Sequence, residues 1–297
     1  MQKGVVIKAY AGYYYVYDGE QVWECFLRGK FRHLKQSVLV GDNVLWQPDK
    51  HTDGAGNRGV IESVDPRKNN LSRPTIANVD QAVIVFSVVE PEPSMVLLDR
   101  LILLVEHSGI DPVICCNKFD LACRQENPAW LEYYGKVGYK TLLTSASTGV
   151  GLIEFKKHMV RRISVMAGPS GVGKSSILNA IIPAISLETG EISSRLKRGK
   201  HTTRHVELIP FNDKGYIADT PGFSNLNLPS ELKREELQWY FPEIFSRGGE
   251  CRFNGCLHDR EPDCAVRLAA SQGLIAEWRY KNYLDFLQEV IKQERRY

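Results

Sequence analysis

Residues 162–177 read RISVMAGPSGVGKSSI. An apolar, β-rich run (Ile163, Val165, Met166) enters a glycine-rich turn from Gly168 to Ser175. Ile177, Leu178 and Ala180 then recur at helical spacing. This is the G-x-x-x-x-G-K-[ST] phosphate loop, in the strand-then-helix setting that separates it from a chance glycine turn. Gly168, Pro169, Ser170, Gly171, Val172 and Gly173 curl the backbone so that successive N–H groups face phosphate oxygens, and the helix N-terminus adds its positive end. In that frame Lys174 reaches the β- and γ-phosphates and the Ser175 hydroxyl ligates Mg²⁺. The sequence therefore implies binding of a nucleoside triphosphate.

Composition bounds what surrounds this loop. The 297 residues allow two or three domains, and 43% hydrophobic with 25% charged residues is ordinary for a globular protein. A net charge of +3 makes any nucleic-acid surface local. No apolar run reaches the roughly 18–20 residues that span a bilayer. The opening MQKGVVIKAYAGYYYV reads as a strand, and the seven cysteines without an export signal imply reduced thiols in a cytoplasm.

Residues 1–68 hold five short β-rich runs: VVIKAY, YYYVYD, QVWECFLR, NVLWQP and RGVIESVD. Their spacing predicts a small barrel, for which the oligonucleotide-binding (OB) type is a natural choice. Lys3, Lys8, Arg28, Lys30, Arg32, His33 and Lys35 lie among Tyr13, Tyr14, Tyr15, Trp23 and Phe31. Such interleaving suits an RNA groove, or else a barrel core with solvated cations. HTDGAGNRG (51–59) reads as a loop, and residues 67–80 as a linker whose Arg67, Lys68 and Arg73 are available to phosphate.

From residue 81 apolar strands (QAVIVFSV, DPVICC, KTLLTS, RISVMAG) alternate with helical patterns (95–109, PAWLEYYGKVG, GLIEFKKHMVRR), predicting a parallel, doubly wound sheet that binds ligands at the strands' carboxyl ends. Asn117-Lys118-Phe119-Asp120 closes the second strand. A carboxylate there accepts from the ring N–H and the exocyclic amine of guanine, which adenine does not offer, while Asn117 and Lys118 brace and cover the base. Ser145 and Ala146 follow the third strand, where a small residue lets a backbone N–H approach the guanine carbonyl. After the phosphate loop, residues 188–204 form a basic switch-like stretch (Arg195, Lys197, Arg198, Lys200, His201, Arg204). Either Thr202 or Thr203 in it suits Mg²⁺. The strand ending Asp219-Thr220-Pro221-Gly222 brings a carboxylate for the Mg²⁺ shell and a Gly222 N–H to sense the γ-phosphate.

Near the end stands Cys251-x₄-Cys256-x-His258-x₅-Cys264. Three thiolates and one imidazole suit a closed, tetrahedral, structural Zn²⁺ site, although the spacing is not that of a CxxC knuckle. Cys25, Cys115, Cys116 and Cys123 have no such partners and read as incidental thiols. Helical patterns flank the cluster. Arg279, Tyr280, Lys281 and Tyr283 are available to RNA or to the nucleotide domain, and a core-facing stripe explains the aromatics equally well.

The order of the motifs is decisive. GTPases ordinarily run phosphate loop, switch threonine, DxxG, NKxD, SA, whereas here NKFD and TSA precede GPSGVGKS, HTT and DTPG. The nucleotide domain is a circularly permuted one. With that order and the cysteine cluster, the whole chain resembles the RsgA (YjeQ/YloQ) family of small-ribosomal-subunit GTPases. The resemblance implies a multidomain α+β chain: an OB-fold barrel that binds ribosomal RNA (1–68), a circularly permuted P-loop α/β GTPase domain (69–227) and a C-terminal helical zinc-binding domain (228–297). It further implies late maturation of the small subunit, GTP hydrolysis stimulated by that subunit, and a monomer that binds no membrane.

Lys174, Ser175, Thr203, Asp219 and Gly222 are then the catalytic set. Phe223 stands where Ras-like enzymes carry a water-orienting Gln, so unaided turnover is expected to be slow, with the subunit or a switch histidine (His201 or His205) completing the geometry. A guanylate-kinase-like reading of GPSGVGKSS leaves NKFD and DTPG without a task. A zinc-dependent RNA-binding protein with GTP as a structural ligand leaves Lys174, Ser175 and Asp219 unexplained.

Overall fold

Five strands open the chain: β1 (Gln2–Tyr10), β2 (Tyr13–Tyr17), β3 (Val22–Leu27), β4 (Asn43–Pro48) and β5 (Arg58–Val64). They close into a barrel in the order β1-β2-β3-β5-β4, with only the β3–β5 pair parallel. Alternation turns Val6, Val16, Cys25, Val44, Trp46 and Ile61 inward. The computed structural model describes residues 1–28, 37–49, 57–72, 75–122, 126–182, 206–211, 214–221 and 226–295. Lys30, Phe31, Arg32, His33, Lys35, Arg73 and Cys123 lie outside them, as does most of the 51–59 loop.

The barrel's aromatics and cations divide between the two expected uses. Trp23 packs on Trp46 with ring centroids 4.6 Å apart and donates its indole N–H to Asp18, so it fills the barrel. Tyr13, by contrast, is 46% exposed. Lys8 pairs with Glu207 at 3.1 Å and Arg28 with Glu62 at 2.9 Å, while Lys3 is exposed.

Residues 67–80 are not the linker expected. They contain a two-stranded sheet, β6 (Asn70–Ser72) and β7 (Thr75–Ala77), whose Leu71, Ile76 and Val79 join the barrel's Ile7 and Val40 in one core with the large sheet. Arg67 is equally unavailable to phosphate. Its Nε and Nη2 bond the buried Asp42 carboxylate at 2.7 and 2.8 Å, and Nη2 also reaches Ser37 O. The three asparagines, Pro74 and Ser72 signalled turns, but the buried apolar residues between them decide the packing.

The large sheet comprises β8 (Gln81–Ser87), β9 (Asp111–Asn117), β10 (Lys140–Leu143), β11 (Ile163–Ala167), β12 (Leu208–Phe211) and β13 (Gly215–Pro221), in the order β10-β9-β8-β11-β13-β12. It is parallel except for β12, an antiparallel edge strand. Every residue of β8 and β11 is buried, as central strands covered on both faces require. The chain builds outward from β8 to β10, then returns to the other side of β8 as β11. The topological switch point thus lies between β8 and β11, where such sheets bind ligands.

Helices α1 (Met95–His107) and α2 (Ala129–Val137) cover one face of this sheet, and α3 (Leu152–Met159) and α4 (Lys174–Ile181) the other. Helix α1 is more than amphipathic. Leu98, Leu101, Ile102 and Val105 face the sheet, while Leu103 enters the core of the C-terminal segment. A helix apolar nearly all round is one buried on two sides.

In that segment the helical pattern at 230–244 is not one helix: residues 230–236 form turns, Leu237–Tyr240 a 3₁₀ turn, and Pro242 opens a short α5 (Pro242–Gly248). α6 (Ala265–Ser271) and α7 (Glu277–Glu294) follow. Arg279 on α7 is wholly buried, which rules out RNA contact. Its guanidinium bonds Asp99 of α1 at 2.6 Å and Glu243 of α5 at 2.6 and 3.1 Å, over the Phe241 ring. Asn282 and Tyr134 also donate to Asp99. Tyr280 and Tyr283 donate their hydroxyls to His258 O and Leu257 O, and Lys281 is exposed. Removing one member of a buried ion pair strands the other, so Arg279→Ala should cost about 3–5 kcal/mol in urea unfolding. A loss under about 1 kcal/mol would show that the network tolerates an unpaired Asp99.

Candidate active site and metal centre

The loop after β11 adopts the shape its glycines permit. Gly168, Gly171 and Gly173 have φ of 124°, 82° and 92°. A Cβ on Gly168 would stand 2.1 Å from Val85 O of β8, and one on Gly173 would stand 2.4 Å from Asn117 Nδ2. Both positions exclude a side chain on conformational and steric grounds. Val172 is fully buried in the core beneath α4, which anchors the loop, whereas Ser170 and Gly171 are exposed and Pro169 is half-buried.

Lys174 donates to Gly168 O at 2.9 Å and Pro169 O at 2.5 Å, and burial lowers its ammonium to about 8. A phosphate within reach of this ammonium gains a partner that is already desolvated. Ser175 follows in the first turn of α4, 8% exposed, and its hydroxyl has no hydrogen-bond partner among the described residues. An oxygen donor so placed beside the phosphate site fits a hard cation such as Mg²⁺.

Asn117, 1% exposed at the end of β9, ties three motifs together. Its Nδ2 donates to Val172 O of the phosphate loop at 2.9 Å. Its Oδ1 accepts from Thr144 Oγ1 at 3.1 Å and from the Ala146 N–H at 3.2 Å. The Ala146 amide expected to face guanine is thus already shared with Asn117. Lys118 takes a left-handed backbone (φ 60°), and its ammonium donates to Glu90 O at 2.6 Å, across the mouth of β8. The Phe119 N–H bonds Thr144 O.

The exposed Asp120 accepts a hydrogen bond from the buried Ser145 hydroxyl at 2.5 Å. That bond, with a second from Ser147, holds its carboxyl below the usual range. Asp120 is therefore an ionised, acceptor-only group at neutral pH, matched to two converging N–H donors. The sequence reading missed Thr144 and Ser147. Their place in the polar run 144–148 was the available signal.

β13 ends beside the phosphate loop. Val165 pairs with Ala218, and the register then slips so that Met166 pairs with Pro221, leaving the Asp219–Thr220 backbone bulged beside the start of the loop. The Asp219 side chain lies outside the described residues, as do His201, Thr202, Thr203, Arg204, His205, Gly222, Phe223 and the basic stretch from Arg195 to Lys200.

The cysteine cluster assembles as its spacing implied. The four ligand atoms of Cys251, Cys256, His258 and Cys264 lie within 4.8 Å of one another. Cys251 Sγ is 3.8 Å from Cys264 Sγ, and each of these sulfurs is 3.5 Å from His258 Nδ1. A tetrahedron with Zn–S of about 2.3 Å and Zn–N of about 2.0–2.1 Å has S···S edges near ~3.8 Å and S···N edges near ~3.5 Å, so the donor set fits Zn²⁺. Burial pushes the Cys256 thiol up to about 12, raises that of Cys264 and lowers the His258 imidazole, so a bound cation would be what holds the Cys256 and Cys264 sulfurs as thiolates. His258 Nε2 meets Gln238 Oε1 at 3.2 Å, and the Glu261 carboxylate accepts the N–H groups of Leu257, Asp259 and Arg260. These outer partners fix the ligand loop. Sequence spacing carried no sign of Gln238. Cys25, Cys115 and Cys116 are buried thiols, each pushed up to about 12 by burial.

Comparison with known proteins follows the same lines. A family model described as the RsgA GTPase matches residues 64–229, and one described as the RsgA N-terminal domain matches residues 3–55. The small ribosomal subunit biogenesis GTPase RsgA of Moorella thermoacetica is 49% identical across 99% of each chain. That of Halalkalibacterium halodurans is 48% identical across 100% of this chain and 99% of its own. Among solved structures, YloQ, a circularly permuted GTPase, superposes with a TM-score of 0.81 at 40% identity, covering 99% of this chain and 96% of that one. YjeQ from Thermotoga maritima gives 0.79 at 37% identity and 98% coverage of both chains.

Proposed function

Because the chain belongs to the RsgA GTPase family, we propose that this GTP hydrolase acts in biogenesis of the small ribosomal subunit, binding the subunit and its RNA late in maturation and hydrolysing GTP to GDP and phosphate faster when bound. The observation that carries the nucleotide part is the Asn117 side chain, which joins the phosphate loop, the NKFD strand end and the Thr144–Ala146 turn into one rigid cradle. Lys174 binds the β- and γ-phosphates, Asp120 reads guanine, and Ser175 with Thr203 and Asp219 holds Mg²⁺. Held there, Mg²⁺ would supply positive charge against the negative charge that develops on the phosphates. Gly222 contributes its N–H to the γ-phosphate, and His201 or His205 is the switch candidate for orienting water.

The division into a barrel (1–68), a GTPase domain (69–227) and a zinc domain (228–297) belongs to the same reading. So do a monomeric state and a cytoplasmic location, where ribosomes are assembled. None of the described helices is long and apolar enough to cross a membrane. The exposed Tyr10, Tyr13 and Phe26 of the barrel support an RNA-facing surface.

With Phe223 unable to orient water, hydrolysis by the isolated protein should be slow, and a partner that completes such a site can add up to about 10³–10⁵ in rate. The test is GTP turnover alone, with purified small subunits and with large subunits. Stimulation by small subunits only, absent in Lys174→Ala, is the expected result. Equal rates in all three mixtures would refute the partner.

A further inference from the structure

The chain carries a second cationic site on the side of the sheet opposite the nucleotide. A crevice of about 660 Å³ opens between the barrel and the amino ends of β8, β11 and β13. Its lining includes Lys68, Arg161, Arg162 and Lys214, with Asp80 as the one carboxylate among the described lining residues. It lies about 17 Å along β11 from the phosphate loop, so it is no part of the GTP site.

The four cations differ in how they are held. Arg162 is fixed, its Nη1 donating to Gln81 Oε1 at 2.8 Å and meeting His158 Nε2 at 3.1 Å. Lys68 pairs loosely with Asp80 at 3.4 Å, and that carboxylate also accepts the Ile163 N–H. Arg161 and Lys214 are exposed and have no side-chain partner among the described residues. Both also hold left-handed backbone, with φ of 57° and 59°. Glycine or asparagine takes that conformation more readily than a long side chain does. Two strained turns that each present a lysine or arginine to one crevice point to a use for the charge.

The lining also discriminates among anions. Tyr216 is 5% exposed and edge-on to Tyr17, so it offers no ring face for a base. The remaining wall residues, among them Val5, Asn43 and Pro66, provide no stacking platform. A nucleoside ligand would leave its base unrecognised, whereas a sugar–phosphate backbone needs only cations spaced along a channel. We infer that this crevice binds the phosphodiester backbone of RNA, independently of base sequence, and clamps it between barrel and GTPase domain. The inference rests on the small-subunit reading above.

The test pairs Arg161→Asn with Lys214→Asn, since asparagine tolerates the left-handed backbone and removes both charges. Binding of the double variant and the unsubstituted protein to small subunits is measured from 50 to 200 mM salt, with GTP hydrolysis in the absence of subunits and thermal melting as controls. Losing two phosphate contacts should weaken binding roughly 10–20-fold near ~150 mM salt and flatten the log–log salt slope by about 1.5, with both controls unchanged. Equal affinity and equal slope would overturn the crevice while leaving the small-subunit reading intact. No subunit binding by the unsubstituted protein would overturn both. Tripolyphosphate that binds the GTP-loaded protein but not the variant, with subunit binding unaltered, would reassign the crevice to a small anion.

Discussion

Asp120→Asn should exchange the base the enzyme accepts, lowering kcat/KM for GTP by up to about 10⁴–10⁵. The Asp120 carboxylate is held ionised by the Ser145 and Ser147 hydroxyls and stands exposed at the rim of the cradle. As an acceptor-only group it suits guanine's adjacent ring N–H and amine. In the substituted side chain the amide carbonyl oxygen can keep the Ser145 bond and still accept from a ring N–H. Its new NH₂ group then faces guanine's amine donor to donor, a mismatch of the kind that sites built to hydrogen-bond their substrate reject most strongly. Xanthine has a carbonyl where guanine has the amine, so xanthosine triphosphate should become the better substrate. Asp120→Ala should lose GTP without gaining the xanthine nucleotide. If Asp120→Asn keeps its GTP preference, the guanine-reading role belongs to another residue.

The second large effect concerns the cysteine cluster. Cys264→Ala should abolish one bound zinc per chain and destabilise the segment from Leu228 to Glu294. A structural zinc contributes about 10–16 kcal/mol of apparent binding energy in isolated fingers. Here a core including Leu237, Phe241, Ile244, Tyr283, Phe286 and Leu287 surrounds the site, so part of the fold should survive. A loss above about 5 kcal/mol is still expected, because the ligand loop Cys251–Cys264 has little regular structure and is held by its ligands, Glu261 and Tyr280. Nucleotide binding should persist, since α1 and the sheet carry their own core. Metal analysis with hydrogen exchange across residues 228–294 reads the result. A chelated, metal-free chain with unchanged protection there would remove the structural role.

Residues just after the DTPG strand end are fastened to this same segment. Arg100 of α1 donates to Leu226 O at 3.1 Å and pairs with Glu289 of α7 at 2.6 Å, while Leu228 is buried in the C-terminal core. With Arg279 bridging α1, α5 and α7, the zinc-cluster segment is bolted to the sheet's α1–α2 face.

The sequence by itself determined whatever depends on neighbouring residues. The phosphate loop was legible because its glycines, lysine and serine act through local backbone geometry. NKFD and the Cys/His cluster were legible because their ligand atoms come from one turn or one short loop. The order of the motifs revealed the permutation, and apolar runs bounded by turn residues marked the barrel strands and the central strands of the large sheet, though not β6 and β7.

Only tertiary structure decided the partners that are distant in sequence. Arg67 meets Asp42 25 residues away, and Arg279 meets Asp99 180 residues away. Nothing in either neighbourhood distinguishes a buried ion pair from a solvent-facing cation. The same holds for the Asn117–Val172 bond, for residues 67–80 folding into the shared core, and for the crevice cations gathered from separate turns. Local chemistry selects backbone shape over a few residues, whereas burial and pairing are set by which surfaces the whole chain brings together.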